Sequence, residues 1–554
     1  MPTALADVHT PWVEATLARL TTDQKLAQLL HTTVTPDLTP ETWREQTGGL
    51  TPGGVFIFTG TRATFRRTTA ILQDGAVVPV VVSSDAENGP ARLIKDATAW
   101  PEMMGMGAAD DVDLSAELGR CCAVECRDAG VHWTFGPVVD LNVNPHNPIT
   151  CTRSLGERQQ HVGRHAAAMI RAMQQGGLAT TPKHFPGDGY DDRDQHICRT
   201  VNPQGMTQWW QTSGAAFRAA IEAGAWTVMI GHIALPAWDP GDGDAMDAPP
   251  ATVSRRIIDG LLRHELGFDG LIISDAMGMG GVTSWGPRRL ALPAALMAGC
   301  DQLLFVDLKG DLQILREALA EGRLSLERVE ACVRKVLRLK EVLGLSSPAV
   351  ALPQLAREAD LALFGQAARS ATERSLTLVK DRHRVLPVAL AGKRVLAVHL
   401  RGEAGYPIDG LDGYLTAAGA AVTRVTEADI PQWPATDWLT AYDLVIIGFA
   451  FNPNWGTNRI RPNGWYLRPI VSCLLAQNAV PVIGLSFGSP YHLHDLPQLP
   501  ALINCYSQHA EALRAAVDAL TGKIPLTGSS PVDQRKVLGR WPTVDGCGHD
   551  HSAM

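Results

Sequence analysis

The chain has 554 residues, 45% of them hydrophobic and 19% charged, with a formal net charge of −8. This is ordinary globular composition, long enough for two or more domains, and the negative balance gives no basic footprint for nucleic acid. No run of about 18 apolar residues occurs, so no membrane helix is expected, and an N-terminus without a basic stretch leading into an apolar one predicts a cytoplasmic protein.

Strand-like runs alternate with helix-like runs through the first two thirds. The strand candidates are "GGVFIF" (53–58), "VPVVVSSD" (78–85), "VHWTFGPVVDL" (131–141), "LATTPKHF" (178–185), "WTVMIGHI" (226–233), "GLIISDAM" (270–277) and "DQLLFV" (301–306). Most are continuously apolar, as parallel strands covered on both faces must be. Between them lie helices such as 161–177, with Val162, Ala166, Met169, Ile170 and Met173 on one face. Ser254 is a candidate N-cap for a helix over 254–268. The alternation predicts a (β/α)8 TIM-like barrel, favoured over a doubly wound sheet because no Gly-rich dinucleotide fingerprint follows the early strands. The expected division is a barrel over 1–345, a helical linker over 346–372, an α/β sandwich over 373–532 and an extension over 533–554. The sandwich strands are read in "SLTLVKD", "RVLAVHL", "DLVIIGFAF", "VPVIGLSF" and "ALINCYS".

A β/α barrel carries its chemistry at the carboxyl ends of its strands. Asp85 ends "VPVVVSS", Arg153 lies in the loop after "FGPVVDL", Lys183 and His184 end "LATTP", His232 ends "WTVMIG" and Asp275 ends "GLIIS". One polar strand end is simply chain returning to water. Five in succession suit a small, hydroxyl-rich ligand. A carboxylate fixed on a strand, as Asp275 is, can attack or stabilise an electron-poor carbon such as a sugar's anomeric centre; the plain alternative is a helix N-cap.

The stretch "TTPKHFPGDGYDDRDQHI" (180–197) carries two histidines and four aspartates around two glycines. Gly187 and Gly189 tolerate backbone angles that other residues resist, which suits hinges. Asp194 and His196 are one residue apart, and a carboxylate beside an imidazole fixes its tautomer and suits it to pass a proton near neutral pH. Two alternatives stand beside this: a solvated acidic loop, and a metal site using His184, His196 and some of Asp188, Asp191, Asp192 and Asp194. No spacing here matches the usual two-histidine metal motifs. Of ten cysteines, Cys121, Cys122 and Cys126 share one helix and read as small buried hydrophobes. The tail "CGHDHSAM" reads as a loose terminus.

"KHFPGDGYDDRDQH" resembles the signature of glycoside hydrolase family 3, and especially its β-N-acetylglucosaminidase branch. "GLIISDAMGM" looks like the family's nucleophile strand, "TRSLGE" its R-S-F-G loop and "SSDAENGPARL" its D-x-E-x-G strand end. "SLTLVKDRHRVLPV" and "ALTGKIPLTGSSPV" are similar to the ends of its second domain. Asp188 stands where the branch has histidine, and Gln195 where it has serine. The resemblance implies an exo-acting retaining β-glycosidase, first a β-N-acetylhexosaminidase releasing N-acetylglucosamine from small glycosides such as cell-wall fragments. Asp275 would be the nucleophile, His196 oriented by Asp194 the acid/base, and Asp85, Arg153, Lys183 and His184 the grip on the sugar, with His232 nearby. Alternatives are a β-glucosidase or other β-glycosidase, a phosphorylase, a sugar-binding protein without catalysis and a metal-dependent hydrolase. The reading implies a carbohydrate substrate, no metal or other cofactor, no nucleic-acid or membrane partner, and a monomer or homodimer. The loop "NPNWGTNR" (452–459) is a further candidate for the cleft.

Overall fold

The structure is a computed structural model that describes Leu5 and residues 10–241, 247–346, 356–402, 407–426, Asp429, 437–456, 460–464 and 467–534. Part of the connector, residues 457–459 of "NPNWGTNR" and the tail "CGHDHSAM" lie outside the described residues. The chain forms two compact units. The first comprises Met1–Ala99, Val112–Asn144 and Arg158–Ala367; the second comprises Trp100–Asp111, Pro145–Glu157 and Ala368–Met554.

The first unit is built on β1 (Leu30–Val34), β2 (Gly54–Ile57), β3 (Val81–Ser84), β4 (Trp133–Thr134), β5 (Thr227–Ile230), β6 (Leu271–Ala276) and β7 (Gln302–Leu304). They form one parallel sheet in the order β4-β3-β2-β1-β7-β6-β5. Residues 179–185 bridge the two edges, Ala179 to Trp133 on β4 and Phe185 to Ile230 on β5, so the curled sheet closes into the expected barrel. This eighth wall was expected as a full strand. It pairs only through single bridges, because Pro182 has no N–H to donate to a ladder. The first strand, "LHTTV", was not among the expected ones. It is half polar and follows the capped helix Thr22–Gln28 almost directly, so no turn marks its start.

Side chains from most of the barrel walls meet inside it: Phe56, Val81, Trp133, Phe135, Ala179, Met229, Leu271, Ile273 and Leu304 form one buried cluster. Trp133 Nε1 donates to Thr181 Oγ1 at 2.6 Å and to Thr227 Oγ1 at 3.0 Å, so the indole N–H has partners within that interior. Helices surround the sheet as the 3.6-residue periodicity predicts. Gln159–Gln175 buries the five apolar residues named above, each stabilising by roughly 1.5–3 kcal/mol where the side chain is large. Ser254 accepts from the Ile257 amide at 3.1 Å and so caps the next helix as expected. Cys121, Cys122 and Cys126 are buried free thiols on Val112–Ala129.

The second unit carries β8 (Thr377–Asp381), β9 (Arg394–Arg401), β10 (Ala421–Thr426), β11 (Leu444–Ala450), β12 (Val482–Ser486) and β13 (Ala501–Asn504). Their order is β8-β13-β12-β11-β9-β10, with only the edge strand β8 antiparallel. Each sheet face has its own apolar cluster, as an α/β sandwich requires. Two short stretches from early in the chain pack within this unit. The Glu102 amide donates to Ser507 Oγ at 2.7 Å and the Glu157 amide to the Pro531 carbonyl at 3.2 Å. Met104 and Ala108 join Tyr491, Tyr506 and Val532 in a small core.

Candidate active site

Alternation along a strand decides which residues face the inside of a barrel. On β6, Leu271 and Ile273 point into the interior cluster, so Asp275 continues the inward series at the mouth. On β3, Val81 leads to Asp85 by the same count, and Ala179 leads through Thr181 to Lys183. The strand-end rule therefore brings Asp85, Lys183 and Asp275 to one opening.

Lys183 Nζ lies 3.1 Å from Asp85 Oδ1 and 2.6 Å from Glu87 Oε1, with Arg92 3.6 Å from the other Glu87 oxygen. The side chains of Lys183 and Glu87 are 4% and 2% exposed. A buried ammonium needs such partners, since an unpaired one is costly. Asp85, less buried, keeps one face toward the opening.

His184 is held from behind by Asp140. Its Nδ1 lies 2.7 Å from Asp140 Oδ2, while Asp140 Oδ1 accepts from the amides of His184 and Asp188 at 3.0 and 2.8 Å. The other nitrogen, Nε2, faces Asp275 Oδ2 at 3.9 Å. Asp140 was not anticipated, although it ends the apolar run "FGPVVD" as Asp275 ends "LIIS".

Asp275 Oδ1 accepts from the Ala276 amide at 2.8 Å. Burial pushes its carboxyl up. The imidazoles of His184, His232 and His196, together with that amide, outweigh burial and hold it below the usual carboxylate range. The group is thus an anion at neutral pH.

The loop 187–197 is docked. His196 Nδ1 lies 2.7 Å from Asp194 Oδ1, which also accepts the His196 amide at 2.9 Å. A carboxylate only accepts, so Nδ1 carries a proton and Nε2 is left for chemistry. The Gly280 and Gly281 amides donate to the carbonyls of His196 and Gln195 at 2.8 and 2.9 Å, tying the loop to the segment after Asp275. A Cβ on Gly280 would lie 1.9 Å from the Ile197 carbonyl oxygen, so only glycine permits this approach. Gly187 and Gly189 have φ of +118° and +97°, and a Cβ on Gly189 would lie 2.0 Å from the Leu141 carbonyl oxygen. They serve here as close-approach positions.

Three of the loop's four aspartates are engaged, and Asp192 is exposed. Asp188 accepts from Gln195 Nε2 at 3.2 Å and Asp191 pairs in a fork with Arg193 at 2.8 and 2.6 Å, while Asp194 holds His196. Gln195 also accepts the His232 amide at 2.9 Å. His232 is fully buried, and both ring nitrogens meet protein atoms: Nε2 donates to the Ala276 carbonyl at 2.9 Å, and Nδ1 lies 2.7 Å from Thr252 Oγ1. Burial pushes its pKa down, consistent with a neutral ring that steadies the backbone after Asp275. Arg153 falls in the second unit, where its guanidinium donates to the Ile149 carbonyl at 3.2 Å.

The opening thus gathers an anionic carboxylate, Asp275, within electrostatic reach of His184, His232 and His196, beside fixed ionic and hydrogen-bonding groups. Comparison with known proteins gives the family. The family model described as "Glycosyl hydrolase family 3 N terminal domain" matches residues 21–339. The chain is 36% identical over 567 residues to the beta-N-acetylglucosaminidase/beta-glucosidase of Cellulomonas fimi, covering 98% of each chain. Among solved structures, the beta-glucoside phosphorylase BglX bound to 2FGlc superposes with a TM-score of 0.86 at 31% identity, over 94% of this chain and 96% of that one. The family 3 beta-N-acetylglucosaminidase of Paenibacillus sp. str. FPU-7 gives 0.80 at 27% identity, over 93% and 99%.

Proposed function

The chain belongs to glycosyl hydrolase family 3, and on that premise we propose that it is an exo-acting retaining β-N-acetylhexosaminidase. It removes terminal β-linked N-acetylglucosamine from small glycosides. The observation that carries this reading is the Asp275 carboxylate, fixed at a strand end and held anionic, with His196, anchored through Nδ1 to Asp194, near enough to act on its charge.

In the first step an Asp275 oxygen attacks the anomeric carbon, and the His196 Nε2 proton passes to the departing glycosidic oxygen. The sugar is then an ester on Asp275. In the second step His196 Nε2, now unprotonated, takes a proton from water, which attacks the same carbon and releases the ester. Asp194 keeps the ring in the tautomer both steps need. Asp85, Lys183 and His184 hold the sugar hydroxyls. Glu87 and Asp140 position Lys183 and His184, and His232 steadies the segment that follows Asp275.

A second reading is favoured by one observation, the similarity to a beta-glucoside phosphorylase. An imidazole donor repels an incoming anion less than a carboxylate does, so phosphate can replace water in the second step. The setting we infer is cytoplasmic, in keeping with the free thiols of the nine described cysteines, with cell-wall fragments as the proposed source of substrate. Among the described residues no helix is long and apolar enough to cross a membrane.

The test is a panel of p-nitrophenyl β-glycosides, with and without phosphate and with EDTA. The reading expects N-acetylglucosaminide as the best substrate, free sugar as product in phosphate, and no loss with EDTA. Preference for glucoside, or a sugar 1-phosphate as product, would overturn the corresponding part.

A further inference from the structure

One arc of the barrel mouth is aromatic, and nothing in the mechanism uses it. On β2 the inward series is Gly54, Phe56, Phe58; on β3 it is Val81, Ser83, Asp85. Register pairs Gly54 with Val81 and Phe56 with Ser83, so two residues further on Phe58 comes beside Asp85. Phe56 is buried in the barrel interior at 2% exposure, and Phe58 above it is 40% exposed.

Phe305 follows β7. Leu304 already points inward, so regular alternation would turn Phe305 outward. Its φ of +53° breaks the alternation. The ring instead lies 5.1 Å from that of Phe56 and 5.7 Å from that of Phe58, and Phe56 and Phe58 are 5.0 Å apart and close to perpendicular. Leu304 pairs with Ala276, so Phe305 adjoins the end of the strand that bears Asp275. A non-glycine residue in the left-handed region persists where its surroundings hold it, and such positions gather at functional sites.

A single exposed phenylalanine is ordinary on a protein surface. Here three rings pack together, one of them re-aimed by an unusual backbone angle, on the inner side of an opening otherwise lined with charge. The wall runs from beside Asp85, through β2, β1 and β7, to beside Asp275. Lys183, His184 and His232 stand on the other arc. A pyranose that reaches from Asp85 to Asp275 must pass along both.

We propose that Phe58 and Phe305 determine glycone specificity, forming an apolar wall that receives an exocyclic carbon of the bound sugar. This rests on the roles of Asp85 and Asp275 proposed above. Two groups of a hexosamine share the required chemistry, the C6 methylene and the acetamido methyl, and the choice of substrates separates them.

The experiment compares Phe58→Ala and Phe58→Leu with the parent chain on p-nitrophenyl β-glucoside, β-xyloside and β-N-acetylglucosaminide. For a sugar turned over too slowly, the inhibition constant of the free monosaccharide is used. Phe58 is part-exposed, so both variants should fold, and unchanged pH profiles will check that the site is intact. Phe58→Ala should lower kcat/KM about 10-fold or more, mainly through KM, for sugars carrying the group that meets the ring. Phe58→Leu should restore part of that. If the C6 methylene is the partner, glucoside and N-acetylglucosaminide both lose and xyloside does not. If the acetamido methyl is the partner, only N-acetylglucosaminide loses. Equal losses on all three sugars, or none on any, would overturn the proposal. An Asp275→Ala variant run alongside keeps the two readings apart: activity there defeats the proposed function, whereas a dead Asp275→Ala with an indifferent Phe58→Ala defeats only the wall.

Discussion

Glu87 is the least conspicuous residue of the site and offers the clearest energetic test. Its carboxylate meets Lys183 Nζ at 2.6 Å, with both side chains almost wholly buried. At an effective dielectric of about 20, two unit charges at that distance attract by about 6 kcal/mol, an upper bound before desolvation. Removing one partner of such a pair leaves the other buried without it, which costs about 3–5 kcal/mol. Asp85 stays 3.1 Å from Lys183 and softens the loss, so Glu87→Ala should cost about 3 kcal/mol, at the low end of that range. Lys183→Met should cost a similar amount. The double variant leaves neither charge stranded by the other, so it should fall short of the sum by about 2 kcal/mol. The assay is urea unfolding of the four chains in a double-mutant cycle, followed by tryptophan fluorescence, because Trp133 and Trp226 are buried in this unit. In Glu87→Ala the ammonium loses its closer carboxylate and turns from the sugar, so KM should rise about 10-fold. Additive effects within about 0.5 kcal/mol, with unchanged KM, would refute the claim that Glu87 positions Lys183.

His196→Ala should slow glycosides with poor leaving groups by about 10²–10⁴-fold and activated aryl glycosides far less; equal slowing of both would remove His196 as the acid/base. Gly280→Ala forces a Cβ to within 1.9 Å of the Ile197 carbonyl oxygen. It should undock the loop and cost about 10²-fold in kcat/KM, and a fully active variant would show that docking is dispensable. Lys340 lies fully buried on the helix Leu326–Val342, 2.5 Å from Gln28 Oε1, and burial pushes its ammonium down from 10.5 to about 7. Between those pH values the unfolded chain holds a proton that the folded chain has released. Stability should therefore climb with pH through that window, by up to about 1.4 kcal/mol per unit, with the burial penalty fully present below it. Lys340→Met should flatten the climb, which denaturation at pH 7, 8 and 9 would detect; a parent chain with no slope would contradict the reading.

What the sequence made legible follows from what is local. The Asp194–His196 pair spans two residues, so one loop displays it whole. Asp85, Lys183 and Asp275 each end an apolar strand, and alternation alone turns them to one mouth. The supports were hidden because they bridge distant segments: His184 meets Asp140 from 44 residues away and Lys183 meets Glu87 from the far side of β4. Gln195, placed between the dyad members, reaches both Asp188 and the His232 amide, and no spacing rule encodes that fork. His232 was read as a residue near the sugar, yet its ring nitrogens both turn to protein atoms. The barrel was legible in seven apolar runs, while β1 was masked by its threonines and histidine. Phe305 escaped because a positive φ, not a pattern of residue types, aims its ring inward.

The account stands most directly on a covalent sugar at one oxygen. Incubating the protein with a 2-deoxy-2-fluoro β-glycoside bearing a good leaving group slows release of the ester more than its formation. Mass spectrometry of the digested protein should then find one sugar per chain, on the peptide containing Asp275, and none in Asp275→Ala. A label on another residue, or undiminished turnover by Asp275→Ala, would contradict the account.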